Sequence, residues 1–349
     1  MEKKSFADKL AEKSFNSAKI QESWKVHTQA FGPILEPAFA EDYKTRIDLI
    51  AALDKISRRD LKGGLDKLQK LQSACKCDAD RAALLFCMGL AFEMAGAKDQ
   101  TIQMYQQAGQ YGHRFYLPYL KVAKFAHNDA VFEVAEENYQ DAIRCFDGQE
   151  LDVQSRTILA SAYTNYASCL TMMHRYDEAE LSLSKSMQYL PSQSGRAATQ
   201  AILYAAMNDG DKVEQYLREL EMGAPVMLST TKKMTDEILK GEHPHFSEIP
   251  LTEEQLSAFW AWFTANEGVL IEKLNQEAFD EAFVWLQEQL KLLFPYMQRD
   301  PDCAFERKET QICITVADYY MVSLTKSYQQ LLTACPDELK SRWCFEIVH

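Results

Sequence analysis

Leu85-Phe86-Cys87-Met88-Gly89-Leu90-Ala91-Phe92-Glu93-Met94-Ala95-Gly96-Ala97-Lys98-Asp99-Gln100-Thr101-Ile102-Gln103-Met104-Tyr105-Gln106-Gln107-Ala108 is the stretch that decides the fold. Large apolar residues at Leu85, Met88 and Phe92 recur at helical spacing, Gly96 breaks the pattern, and it resumes through Thr101, Tyr105 and Ala108. This predicts two helices joined by a short turn. Small residues such as Gly89 and Ala108 let the two approach closely, while the aromatics fill the gap to whatever packs next. A helix pair of this kind leaves an apolar face that only a neighbouring pair covers, so the stretch predicts its own repetition.

The repetition is present. Thirty-four residues further on stand Tyr119, Val122-Ala123, Ala126, Ala130, Ala135, Tyr139 and Ala142. After an insertion of about ten residues come Tyr163, Tyr166-Ala167, Leu170, His174, Tyr176, Ala179, Leu183 and Pro191, spacing of the kind that repeat arrays keep between insertions. A fourth unit holds Ala201, Tyr204, Val213, Leu217 and Leu220 around the turn Asn208-Asp209-Gly210-Asp211, and a degenerate one precedes the first, around Ile47 to Cys75. These positions resemble the tetratricopeptide repeat (TPR) pattern of large residue, Leu-Gly, aromatic, Gly, Ala, aromatic, Ala, with Thr101 replacing the first Ala in the first unit. The resemblance implies a mostly α protein: a TPR-like α-α superhelix of about four to five repeats over residues 45–240. Pro225 to Lys240 reads as a terminal capping helix. Residues 1–44 read as a helical N-terminal extension, since Phe6, Leu10 and Trp24 suggest helix while Pro33 and Pro37 interrupt it.

Beyond the repeats the chain changes character. Gly241 to Pro250 combines Gly with two prolines, so residues 241–251 read as a linker, with His243 and His245 solvated in it. Four of the five tryptophans follow it: Trp260, Trp262, Trp285 and Trp343. Thr252 with Gln255 forms a capping box ahead of an aromatic helix, and a second helix spans about Phe279 to Leu293. Strand patterns follow at Cys303 to Lys308 and Ile312 to Ala317, then a helix from about Ser323 to Ala334 and a strand from Trp343. Residues 252–349 are thus expected to form a small α+β domain in the order ααββαβ. With Trp262-Phe263-Thr264-Ala265-Asn266-Glu267, Leu292-Leu293-Phe294-Pro295, Ala334-Cys335-Pro336 and Trp343-Cys344-Phe345, it resembles an uncharacterised module of bacterial proteins, which implies no activity.

With 51 acidic against 38 basic residues and a formal charge of −13, the chain repels nucleic-acid phosphates and anionic membrane surfaces on average. The expected partner is a protein or peptide, with no nucleic acid and no membrane. The first ten residues lack the apolar stretch of a secretory signal, and most of the nine cysteines, an odd number, sit singly among apolar positions such as Cys87, Cys145 and Cys169, so a cytoplasmic location with reduced thiols is expected. No catalytic signature occurs, and Lys62-Gly63-Gly64-Leu65-Asp66-Lys67 lacks the phosphate-loop pattern, reading instead as an interhelical turn. The close pairs Cys75-Lys76-Cys77 and His243-Pro244-His245 have no matching partners, so no metal site and no cofactor are expected. Asp318-Tyr319-Tyr320 reads as a strand-to-helix junction.

In the TPR family, ligands lie against first-helix side chains in the concave groove. Carried onto this chain, those positions are Phe86, Leu90, Glu93 and Met94, then Lys124, His127 and Asn128, then Thr164, Ser168, Thr171 and Met172. The lining would be apolar at one end and neutral polar in the middle, which suits an extended peptide or a partner helix. Leu120 and Lys124 stand where the family's carboxylate clamp for chaperone C-termini has Lys and Asn, so that mode of docking is not expected. The expected function is a non-catalytic adaptor or scaffold. The alternatives are a peptide-sensing regulator without its own DNA-binding domain, and an enzyme with a C-terminal catalytic domain and a TPR substrate dock.

Overall fold

A computed structural model of the chain describes residues 5–111, 115–193, 195–297, 300–308 and 311–349. By its contacts the chain divides into two units, Met1–Cys169 with Leu181–Ser192, and Leu170–Glu180 with Gln193–His349. No described helix is long and apolar enough to cross a membrane.

Unit 1 opens with α1 (Phe6–Phe15) and α2 (Ala18–Leu35), followed by the pairs α3 (Tyr43–Ser57) with α4 (Leu61–Leu71), α5 (Asp78–Ala95) with α6 (Lys98–Tyr111), and α7 (Tyr116–Asn128) with α8 (Phe132–Arg144). The second helix of one pair packs on the first of the next, α4 on α5 and α6 on α7. This is the tetratricopeptide-like arrangement the resemblance implies. Within α5 and α6 the contact depends on Gly89: a Cβ there would stand 2.6 Å from the Tyr105 ring. Between pairs the approach is looser: a Cβ on Gly109 would stand 3.1 Å from the Tyr119 ring, whose hydroxyl donates to the Gly109 carbonyl at 3.0 Å. The chain turns at Gly96, whose φ of +74° favours glycine.

One reading of the early chain is corrected. Gly63 and Gly64 are not in a turn but in the first turn of α4, which Asp60 caps by accepting the Gly63 N–H at 3.0 Å. A Cβ on Gly64 would meet Ile56 of α3 at 2.5 Å, so the glycine permits close packing. The prolines do interrupt the N-terminal helix: α2 kinks at Phe31, which has non-helical angles, two residues before Pro33, and it ends at Leu35 ahead of Pro37. The α2–α3 connection is tied down by Asp80, whose carboxylate accepts the backbone N–H groups of Phe39 (2.7 Å), Lys76 (2.9 Å) and Cys77 (3.3 Å). Burial raises its pKa, and these donors outweigh that and hold it below the ordinary value.

The pair α9 (Val153–Met172) and α10 (Tyr176–Tyr189) contributes to both units. In unit 1 its helices are joined by Ser182 Oγ donating to the Tyr163 carbonyl at 2.8 Å and by stacked Tyr163 and Tyr189 rings 5.8 Å apart.

Unit 2 holds the last pair, α11 (Arg196–Ala206) and α12 (Gly210–Gly223), with α13 (Pro225–Leu239) packed on both, as a terminal cap should be. The α+β module then comprises α14 (Glu253–Asn275), α15 (Phe279–Leu293), β1 (Cys303–Arg307), β2 (Ile312–Ala317), α16 (Val322–Thr333), the short α17 (Asp337–Lys340) and β3 (Trp343–Val348). The order is ααββααβ, the expected series plus α17. Thr252 and Gln255 form the capping box that starts α14. β1 pairs antiparallel with β2, and β2 parallel with β3. One sheet face carries Trp343 and Phe345, which pack on Trp260 and Phe263 of α14.

The connector 241–251 is not a solvated tether. It is strapped along α16: the His245 and Pro244 carbonyls accept from the Val322 and Ser323 amides, Ser327 Oγ donates to the Ile249 carbonyl at 2.9 Å, and the Leu251 amide donates to Gln330 Oε1 at 2.9 Å. His245 itself is only 5% exposed. Its Nε2 donates to the Met172 carbonyl at 2.6 Å and its ring stacks on His174, 5.3 Å away, which in turn donates to the Tyr320 carbonyl at 2.6 Å. Burial pushes the His245 pKa down to about 4, helped by the neighbouring His174 and His243, so the ring is neutral.

Candidate partner-binding face

The first helices of the pairs in unit 1, α3, α5, α7 and the described unit-1 part of α9, present the face on which the sequence places a partner. Its apolar end is already covered. α2 packs on α3 and α5, the first helices of successive pairs. The Phe31 ring meets Phe86 edge-on at 5.3 Å, and Tyr105 flanks Phe86 from within the pair at 5.4 Å. Phe86 is therefore wholly buried in a cluster that includes Ile34, Leu35 and Phe39, and is not an open groove residue. Leu90, one helical turn on, is half-buried against the same cluster, and Met94 is 44% exposed.

Glu93 is engaged internally. It accepts the Tyr105 hydroxyl at 2.5 Å and the Lys121 ammonium at 2.8 Å, linking α5 to α7. Burial and this carboxylate together raise the Tyr105 pKa, fixing the phenol as a donor. On α7, Lys124 and Asn128 are exposed. His127 is half-buried, edge-on to Phe132 and Tyr139, and burial lowers its pKa, so it is a neutral packing ring.

On α9, Thr164 is buried, with its hydroxyl bonded to the Ala160 carbonyl at 3.0 Å and to Ser186 at 2.9 Å. Ser168 is half-buried. Thr171 and Met172 belong to unit 2, where Thr171 is buried and the Met172 carbonyl serves His245. The side chain the sequence reading missed is Asn165, exposed on the stripe Ser161, Asn165, Ser168. Its signal was the helical spacing itself: with Thr164 facing Ser186, the next residue must face out. Tyr166 turns the other way, donating to Glu136 of α8 at 2.8 Å.

Among the assigned positions, the open ones in unit 1 are Met94, Lys124 and Asn128, with Leu90 and Ser168 half-open. Together with Asn165 they offer amides, hydroxyls and one ammonium beside an apolar end. Such groups bond an extended backbone without needing a charge on it.

No family model matches the sequence, and no curated protein matches it either. Among solved structures, the chain is similar to YrrB, described as a TPR protein with an unusual peptide-binding site, at 15% identity and a TM-score of 0.42, over 57% of this chain and 97% of that one. It is similar to PilF of Pseudomonas aeruginosa at 15% identity and 0.41, over 57% and 88%, and to MamA (AMB-1) at 15% and 0.38, over 54% and 98%.

Proposed function

We propose that the chain is a protein-binding adaptor that holds an extended polypeptide segment along the first-helix face of unit 1, between Met94 and Ser168. The observation that carries this is α2. A helix of the chain itself packs on α3 and α5 through Phe31 and Phe86, so that end of the face binds polypeptide through an apolar contact. Beyond it, Lys124, Asn128 and Asn165 are exposed on the first helices α7 and α9, with no described hydrogen bond or ion pair of their own side chains. An adaptor needs such uncommitted donors and acceptors, because polar groups already satisfied internally add little to binding.

The test places a photo-crosslinking residue at Asn128 or Asn165 in the full chain, with Glu137 on α8 as control, and identifies the adduct in cells of the source organism. The expected result is one polypeptide joined at both face positions and absent from the control. Asn128→Ala with Asn165→Ala should weaken its binding by about 10-fold or more, from two lost hydrogen bonds at roughly 1 kcal/mol each. Equal labelling at Glu137, or unchanged affinity in the double variant, overturns the reading.

A further inference from the structure

The parallel pairing of β2 with β3 sets Cys313 directly against Cys344. Residues opposite one another in a sheet share a face, and those two apart on one strand share it as well, so Cys313, Cys344 and Glu346 converge on the same side. Their two sulfurs and one carboxylate oxygen all lie within 4.8 Å of one another. This is the face opposite to the one that Trp343 and Phe345 press onto α14. Cys313 is buried, Cys344 half-buried and Glu346 exposed, so the cluster has an anchored floor and an open mouth. The ammonium of Lys308, at the end of β1, pairs with Glu346. It places a positive charge beside the three donors.

We propose that Cys313, Cys344 and Glu346 form a binding site for a thiophilic divalent cation of the Zn²⁺ class. Two thiolates and a carboxylate are a donor set such ions take, with water completing four-coordination. Sulfurs sharing one Zn²⁺ lie about 3.8 Å apart, since each bond is about 2.3 Å, so side-chain rotation of roughly 1 Å closes the set. On binding, each thiol releases its proton to solvent, two metal–sulfur bonds and one metal–oxygen bond form, and the Lys308–Glu346 pair opens. Charge balances because the cation's two charges replace the two released protons, while the Lys308 ammonium stays on the chain and turns to solvent. A disulfide would use the two cysteines alone and leave Glu346 to Lys308, whereas the convergence of Glu346 on both sulfurs favours the cation.

The probes are Co²⁺ alone, read by its thiolate charge-transfer absorption, and Zn²⁺ alone, read by competition with a chromophoric chelator, on the full chain reduced beforehand. The expected result is one cation per chain, lost in Cys313→Ser with Cys344→Ser and retained in Cys75→Ser with Cys77→Ser. Because the double variant alters the sheet, two exposed positions decide independently. Glu346→Gln should weaken binding by on the order of 10-fold or more, whereas Lys308→Ala, by freeing the carboxylate, should tighten it by up to roughly fivefold. A structural role for the cysteines moves neither value. Charge-transfer absorption that survives loss of Cys313 and Cys344, affinity unchanged in both Glu346→Gln and Lys308→Ala, or a chain that forms the Cys313–Cys344 disulfide and takes up no cation overturns the proposal.

Discussion

His245 shows how one residue's composition can mislead and its surroundings correct it. A histidine between Gly241, Pro244 and Pro250 reads as solvated, because Gly and Pro mark a break in periodicity and say nothing of what covers it. What covers it is distant in sequence: the Met172 carbonyl and the His174 ring. The consequence is a pH dependence. The folded-state pKa is pushed from 6.5 down to about 4, so between these values the unfolded chain binds a proton that the folded chain does not. Stability is therefore fully present above about pH 6.5 and falls as pH drops toward 4, by up to roughly 3 kcal/mol. His243, whose pKa burial also lowers, adds to the same slope. Chemical denaturation monitored at pH 7 and pH 5 should show this loss, and His245→Gln, which keeps an N–H donor for the Met172 carbonyl without titrating, should flatten it. Equal slopes in both proteins would exclude His245 as the source. The cysteines teach the same lesson. Cys75 and Cys77 are close in sequence, whereas Cys313 and Cys344 come together only through a strand register that no local spacing reveals.

At the scale of elements, legibility followed periodicity. α15 spans Phe279–Leu293 as its pattern predicts, and the capping box at Thr252 marks the start of α14. The pair α5/α6 follows from small residues at close-approach positions, because the buried Gly89 and Ala108 leave room for the facing helix. What periodicity did not reveal was α2, an element outside the repeat that covers Phe86. It explains why Phe86 is buried while Met94, Lys124 and Asn128 are exposed. Phe31 holds this element at the α5 face, and its neighbour His27 pairs with Asp54 of α3 at 3.0 Å. Phe31→Asp would set a carboxylate against the Phe86 ring, where burial without a partner costs several kcal/mol, so α2 should detach instead. Hydrogen exchange is the measurement: protection of residues 18–35 should fall to near that of an exposed helix while α7 and α8 keep theirs. Unchanged protection over residues 18–35 would mean that the His27–Asp54 pair and the packing on α3 suffice without Phe31.

For the whole chain, the open question is where one folding unit stops. Composition places a break at residues 241–251, where the repeats end and the tryptophans begin. Contacts group Leu170–Glu180 with everything from Gln193 onward. The physical reason lies in the connector, whose carbonyls and amides are satisfied by α16 and whose His245 is held by Met172 and His174. We propose that the α+β module depends on these contacts for its stability. A fragment of residues 252–349 leaves Ser327, Gln330 and the amides of Val322 and Ser323 without their connector partners. At about 0.5–1.5 kcal/mol for each hydrogen bond, four such losses amount to roughly 2–6 kcal/mol, a large share of the stability of a small domain. The fragment should melt broadly and bind a hydrophobic dye, whereas residues 170–349, which keep Met172, His174 and the connector, should melt in one sharp transition. A fragment 252–349 that melts as sharply and as high as 170–349 would show instead that the composition break is also the energetic one, and that the connector follows the module without supporting it.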